Sequence, residues 1–92
     1  YNIYPGQLEA IICEHPYVKD CAVVGDPHPY KKEVVKAYIV LKDGLVLNGE
    51  IKKSIREYCE KNIAAYAFPC SYNYIKELPK TKIGKVAYKE LT

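Results

Sequence analysis

Two runs, Val18-Lys19-Asp20-Cys21-Ala22-Val23-Val24-Gly25 and Val34-Val35-Lys36-Ala37-Tyr38-Ile39-Val40-Leu41, decide how the rest of the chain is read. The first reads as a strand entering a buried sheet, and the branched and aromatic content of the second favours the pleated backbone. Between them lies Asp26-Pro27-His28-Pro29, whose two prolines mark a turn or loop. The pattern predicts two strands, over 18–25 and 34–41, paired antiparallel through that loop in a buried sheet.

Toward the N-terminus, Leu8, Ile11, Ile12 and His15 recur at i, i+3, i+4 and i+7, one face of a helix. Pro5 suits the first turn, where its missing N–H is not needed, and Pro16 ends the segment. Beyond the second strand, Lys42-Asp43-Gly44 reads as a turn and Asn48 as a helix cap. Ile51, Ile55, Tyr58, Cys59, Asn62 and Ile63 share one face of the helix that follows. Lys52, Lys53, Arg56, Glu57, Glu60 and Lys61 cover the other, which reads as a solvated surface. Residues 64–69 form a connector. Alternation of Tyr72, Tyr74 and Lys76 with Asn73 and Ile75 predicts a third strand, stopped by Leu78-Pro79. A loop over 81–85 and a short terminal helix over 86–91 complete the chain. The expected fold is α+β: a small three-stranded sheet covered by helices, in the order helix, strand, strand, helix, strand, short helix.

The totals bound the function. Ninety-two residues make one domain with a modest core. Fourteen basic against eleven acidic residues give a net charge of +3, mild for a nucleic-acid binder but suited to contact with a small polyanion. No basic leader precedes an apolar run, and no apolar run approaches the length of a membrane span. The chain opens on Tyr1, with an apolar and aromatic stretch behind it, and is expected to be a piece of something longer. Four cysteines, at 13, 21, 59 and 70, make no Cys-x-x-Cys pair. With His15 and His28 they are spaced too widely for a zinc site, so no metal ligand is assigned. They are read as reduced, small buried hydrophobes.

One segment stands apart: Leu78-Pro79-Lys80-Thr81-Lys82-Ile83-Gly84-Lys85. Pro79 fixes the direction of the chain into a loop. Gly84 permits backbone angles and close approach that a side chain would block. Lys85 follows at once with a mobile ammonium, and with Lys80 and Lys82 it makes a local positive field. A Gly-Lys pair also ends a phosphate-binding P-loop, but the glycine-rich first half of that motif is missing.

Pro79-Lys80-Thr81-x-x-Gly84-Lys85 resembles the C-terminal signature of the adenylate-forming superfamily, which includes acyl-CoA synthetases, adenylation domains of peptide synthetases, and luciferases. A second likeness lies at the other end, where Tyr1-Asn2-Ile3-Tyr4-Pro5-Gly6-Gln7-Leu8-Glu9 resembles the family's Gly-Tyr-x-Ile-x-Pro-x-Glu-(Ile/Val)-Glu segment. His15-Pro16, Val23-Val24-Gly25-Asp26-Pro27 and Glu33-Val34-Val35-Lys36-Ala37 follow at matching intervals, so the likeness covers essentially the whole chain. Gln7, Lys32 and Ala67 depart from the usual residues and leave the subfamily open.

The resemblance implies a single domain over 1–92, the C-terminal part of an AMP-forming acyl-CoA synthetase, cytoplasmic, whose large N-terminal domain lies outside this chain. Ninety-two residues are too few for a nucleotide site, an acyl pocket and a thiol channel together. It implies ATP and CoA as cofactors, with Mg2+ held by the N-terminal domain, and a carboxylic acid as substrate. Lys85 takes the catalytic role, with cofactor contacts from Thr81 and Gly84. Tyr1, Asn2 and Ile3 match a loop that lines the thiol channel. Lys31 matches a basic residue that meets CoA phosphates, and Phe68 is a candidate to stack near the CoA nucleotide, although a core aromatic fits it as well. The same lysine would serve a peptide-synthetase adenylation domain, whose thiol is on a carrier protein. A non-enzymatic RNA-binding module, suggested by ten tyrosines and the positive charge, lacks the clustered basic surface and the aromatic octamer such platforms need.

Overall fold

The computed structural model describes residues 4–26, 34–80, 82–84 and 86–87. Helix α1 (Pro5–Cys13) is followed by strand β1 (Val18–Asp26), strand β2 (Val34–Leu41), helix α2 (Gly49–Asn62), one 3-10 turn (Ala65–Ala67) and strand β3 (Ser71–Tyr74). The α+β architecture and the three-stranded sheet are as the residue pattern predicts.

Sheet order is β1-β2-β3. β1 and β2 pair antiparallel, with Ala37 opposite Val23 and Ile39 opposite Cys21. β3 lies parallel to β2, with Tyr72 opposite Ala37 and Tyr74 opposite Ile39. A parallel neighbour needs a crossover, and α2 supplies it. The ladder continues past both ends of β3: Cys70 N–H donates to the Val35 carbonyl at 2.8 Å and Ile75 N–H to that of Ile39 at 2.9 Å.

Alternation along the strands divides the core between two faces. On the helix side, Cys21, Val23, Val35, Ala37 and Ile39 meet Leu8 and Ile12 of α1 and Ile51, Ile55 and Cys59 of α2. Ile12, Ile39 and Ile55 are fully buried, each worth about 1.5–3 kcal/mol relative to exposure. Val18 joins the same face out of phase with Cys21, because the register slips between Val18 and Asp20. On the other face, Ala22, Val24 and Val40 are covered by Leu78, with Tyr38, Ile75 and Val86 half-buried around them.

Local chemistry sets the element ends. Asn48 Oδ1 accepts the Ile51 N–H at 2.9 Å and caps α2. The outer edge of β1 is tied to α1 by Glu9 Oε2, which accepts the Val23 N–H at 2.8 Å and so satisfies an edge amide. Tyr58 Oη donates to the Ile11 carbonyl at 2.7 Å and joins the two helices.

Some expectations need correction. Asn62 is exposed rather than on the apolar face, and its amide donates to the Tyr58 carbonyl at 2.8 Å. Cys21 and Cys59 are buried, but Cys13 and Cys70 are exposed. Val86, where the sequence reading starts a terminal helix, instead forms an antiparallel bridge with Lys80. Ala87 is not helical either, and residues 88–91 of that stretch lie outside the described residues. Among the described residues no helix is long and apolar enough to cross a membrane.

Candidate functional site

The lysine-rich segment is anchored at both legs. On the incoming leg, Leu78 is 3% exposed and plugs the second sheet face. On the return leg, Val86 packs half-buried against the same cluster. Lys80 and Val86 pair across the mouth of the loop, and Ala87 N–H donates to the Pro79 carbonyl at 2.8 Å. Between these anchors Lys82, Ile83 and Gly84 are exposed. Gly84 sits at φ +85°, in the left-handed region that glycine adopts without strain. The backbone-angle part of the argument for a glycine here is met, whereas the close-approach part is not, since an added Cβ would meet no heavy atom within 4 Å.

The loop base is also tied to β1. Lys80 Nζ lies 3.5 Å from Asp20 Oδ2, with both side chains a little under half exposed. Asp20 Oδ1 accepts the Cys21 N–H at 2.9 Å, which orients the carboxylate. Sequence reasoning missed Asp20, and nothing local marks it, since its partner is 60 positions away.

The other candidates divide as follows. Gly84 is exposed between legs whose anchors, Leu78 and Val86, pack on the sheet face away from the helices. Phe68 is half-buried against the helix-side core, so the two are not brought together. Lys85 and Thr81, between the anchors in sequence, lie outside the described residues. So do Tyr1, Asn2, Ile3 and Lys31.

His15 forms a second polar cluster that the helix periodicity did not foresee. It sits just past α1 and is 4% exposed. Its Nδ1 accepts the Tyr17 N–H at 3.0 Å, which leaves Nε2 to donate to Ser54 Oγ at 3.0 Å. Tyr17 and Tyr58 pack against the ring, each with centroids 5.1 Å away. Burial pushes the imidazole pKa down from its ordinary value and favours this neutral form. Burial likewise raises the pKa of the Cys21 and Cys59 thiols, away from the reactive thiolate. Among the described residues no three metal-ligating side chains converge.

Comparison with known proteins bears on the same segment. The family described as AMP-binding enzyme C-terminal domain matches residues 7–85. The mitochondrial acyl-coenzyme A synthetase ACSM3 of Rattus norvegicus is 43% identical over 93 residues, covering 99% of this chain and 16% of that protein. A long-chain-fatty-acid–CoA ligase of Bacillus subtilis is 37% identical over 91 residues, again 99% of this chain and 16% of the relative. The crystal structure of a Brucella canis acyl-CoA synthetase superimposes with a TM-score of 0.86 at 35% identity, over 99% of this chain and 17% of that one. The chain thus spans about one-sixth of the length of these relatives.

Proposed function

The chain belongs to the AMP-binding enzyme C-terminal domain family of the acyl-CoA synthetases, and from that premise we propose that it is the mobile small domain of an AMP-forming acyl-CoA synthetase with Lys85 as its catalytic lysine. One observation carries the reading. The family match runs through Lys85, and the residue before it, Gly84, stands at positive φ in a loop pinned at both legs.

In the first half-reaction a carboxylate oxygen attacks the α-phosphorus of ATP. The bond to the β-phosphate breaks, and pyrophosphate leaves an acyl-adenylate. Lys85 places an ammonium between the two anions, offsets their repulsion and holds the line of attack. This is electrostatic positioning without proton transfer. Thr81 and Gly84 supply contacts beside it. In the second half-reaction a thiol attacks the acyl carbon and AMP leaves. Tyr1, Asn2 and Ile3 then line the thiol channel, Lys31 meets phosphates of CoA as a point charge, and the exposed part of Phe68 meets its nucleotide. ATP, the acyl pocket and Mg2+ are held chiefly by the large N-terminal domain, and the whole enzyme works in the cytoplasm.

CoA is favoured over a carrier protein as acceptor because relatives of this chain are named as CoA ligases. The test supplies the full-length enzyme with ATP, Mg2+, a panel of carboxylic acids and CoA. Acyl-CoA, AMP and pyrophosphate are expected, while the 92-residue chain alone gives no pyrophosphate exchange. Acyl transfer to a carrier-protein thiol with none to free CoA would replace this reading with the peptide-synthetase one.

A further inference from the structure

We propose that Asp20 is a positioning residue for the lysine loop, holding its incoming leg against the sheet during adenylation. The inference rests on the assignment of Lys85 above. Asp20, Ala22 and Val24 alternate onto one face of β1, the face that Leu78 and Val86 cover. Asp20 therefore projects from the surface on which the loop is seated, opposite Val40 in register.

Its two oxygens are divided. Oδ1 takes the Cys21 N–H at 2.9 Å, which fixes the carboxylate to its own strand. Oδ2 faces Lys80 Nζ at 3.5 Å. Lys80 is the residue whose backbone pairs with Val86 across the loop mouth. One residue is thus held twice, by its backbone to the return leg and by its side chain to β1. A shift of that leg bears on Gly84, the residue before the proposed catalytic lysine. Lys80 and Lys82 are both exposed, and Lys80 is the one whose ammonium faces a carboxylate on the sheet. Lys19, Lys76 and Glu77 line the same open cleft of about 410 Å³ and are the other charges that bear on the pair.

Asp20→Asn in the full-length enzyme keeps an oxygen for the Cys21 N–H and removes the charge facing Lys80. Pyrophosphate exchange should slow by up to about fivefold, the range of a partly exposed ion pair. The loss should be in kcat, with KM for ATP and acid unchanged. Thioester formation from supplied acyl-AMP should keep its rate. The reversed pair, Asp20→Lys with Lys80→Asp, should exchange faster than either single variant. Unchanged exchange in Asp20→Asn, an equal loss in both half-reactions, or no recovery in the reversed pair would overturn the inference. Lys85→Ala is run beside it. If Lys85→Ala exchanges at full rate, the assignment of that lysine fails. If it loses exchange while Asp20→Asn does not, only the role of Asp20 falls.

Discussion

Lys80 and Val86 face each other across an antiparallel bridge, so the two legs of the lysine loop leave the sheet side by side. Leu78 and Val86 seat those legs on a sheet face separate from the one that α1 and α2 cover. The loop is thereby built on the packed sheet while residues 82–84 stay exposed.

The return of the chain at Gly84 is a backbone property. A Cβ added there would meet no heavy atom within 4 Å, so Gly84→Ala introduces no clash. It forces a side chain into the left-handed region, at about 1–2 kcal/mol. We expect urea denaturation to register no more than that loss. Pyrophosphate exchange by the full-length enzyme should fall further, as the loop relaxes to negative φ and carries the following lysine out of line. Full exchange in Gly84→Ala would contradict the link between this angle and the chemistry.

His15 should make the domain acid-sensitive. Its folded-state pKa is lowered by burial from an ordinary value near 6.5. Between the two values the unfolded chain binds more protons than the folded one, so stability rises with pH there. The contribution is complete above about 6.5 and is lost as pH falls toward the folded value. Protonation would also put a proton on Nδ1, where the Tyr17 N–H now donates. Unfolding free energy should be flat from about pH 8 to 7 and drop below about 6.5. His15→Gln should flatten that drop, and an unaltered profile in that variant would contradict the prediction.

Ile55 on α2 is fully buried, whereas Val46 in the loop before α2 is 79% exposed. Ile55→Ala should cost about 2–5 kcal/mol, through lost transfer energy and the cavity left behind. Val46→Ala should fall within about 0.5 kcal/mol of the parent. Equal effects in chemical denaturation would mean that α2 is not packed as described.

Legibility in the sequence followed the range of the interactions. β1 and β2 could be read because two valine-containing eight-residue runs flank a proline loop, a local signal. Helix α2 could be read from its period and from Asn48, whose cap bond spans three positions. Phase along a strand is also local, but which elements cover each face is not. That Leu78 and Val86 belong to the face opposite the helices depends on the path of the whole chain. β3 has four residues, and its parallel pairing follows from the crossover rather than from its own pattern. Ser54 and His15 meet across 39 positions, and Lys80 and Asp20 across 60, so neither pair leaves a spacing to read. The cysteines went half wrong because residue type predicts burial only on average, and Cys13 and Cys70 fall at exposed ends of elements. Within the candidate site, the need for a glycine at 84 was legible, while the anchors that orient the loop were not.

The central assignment is tested most directly by Lys85→Ala in the full-length enzyme, with both half-reactions timed. Acyl-AMP formation, followed by pyrophosphate exchange, should slow by about 10²–10³-fold, the scale of losing one preorganised charge stabiliser. Thioester formation from supplied acyl-AMP should continue near the parent rate. Acyl-AMP formation at the parent rate with alanine in that position would contradict the account.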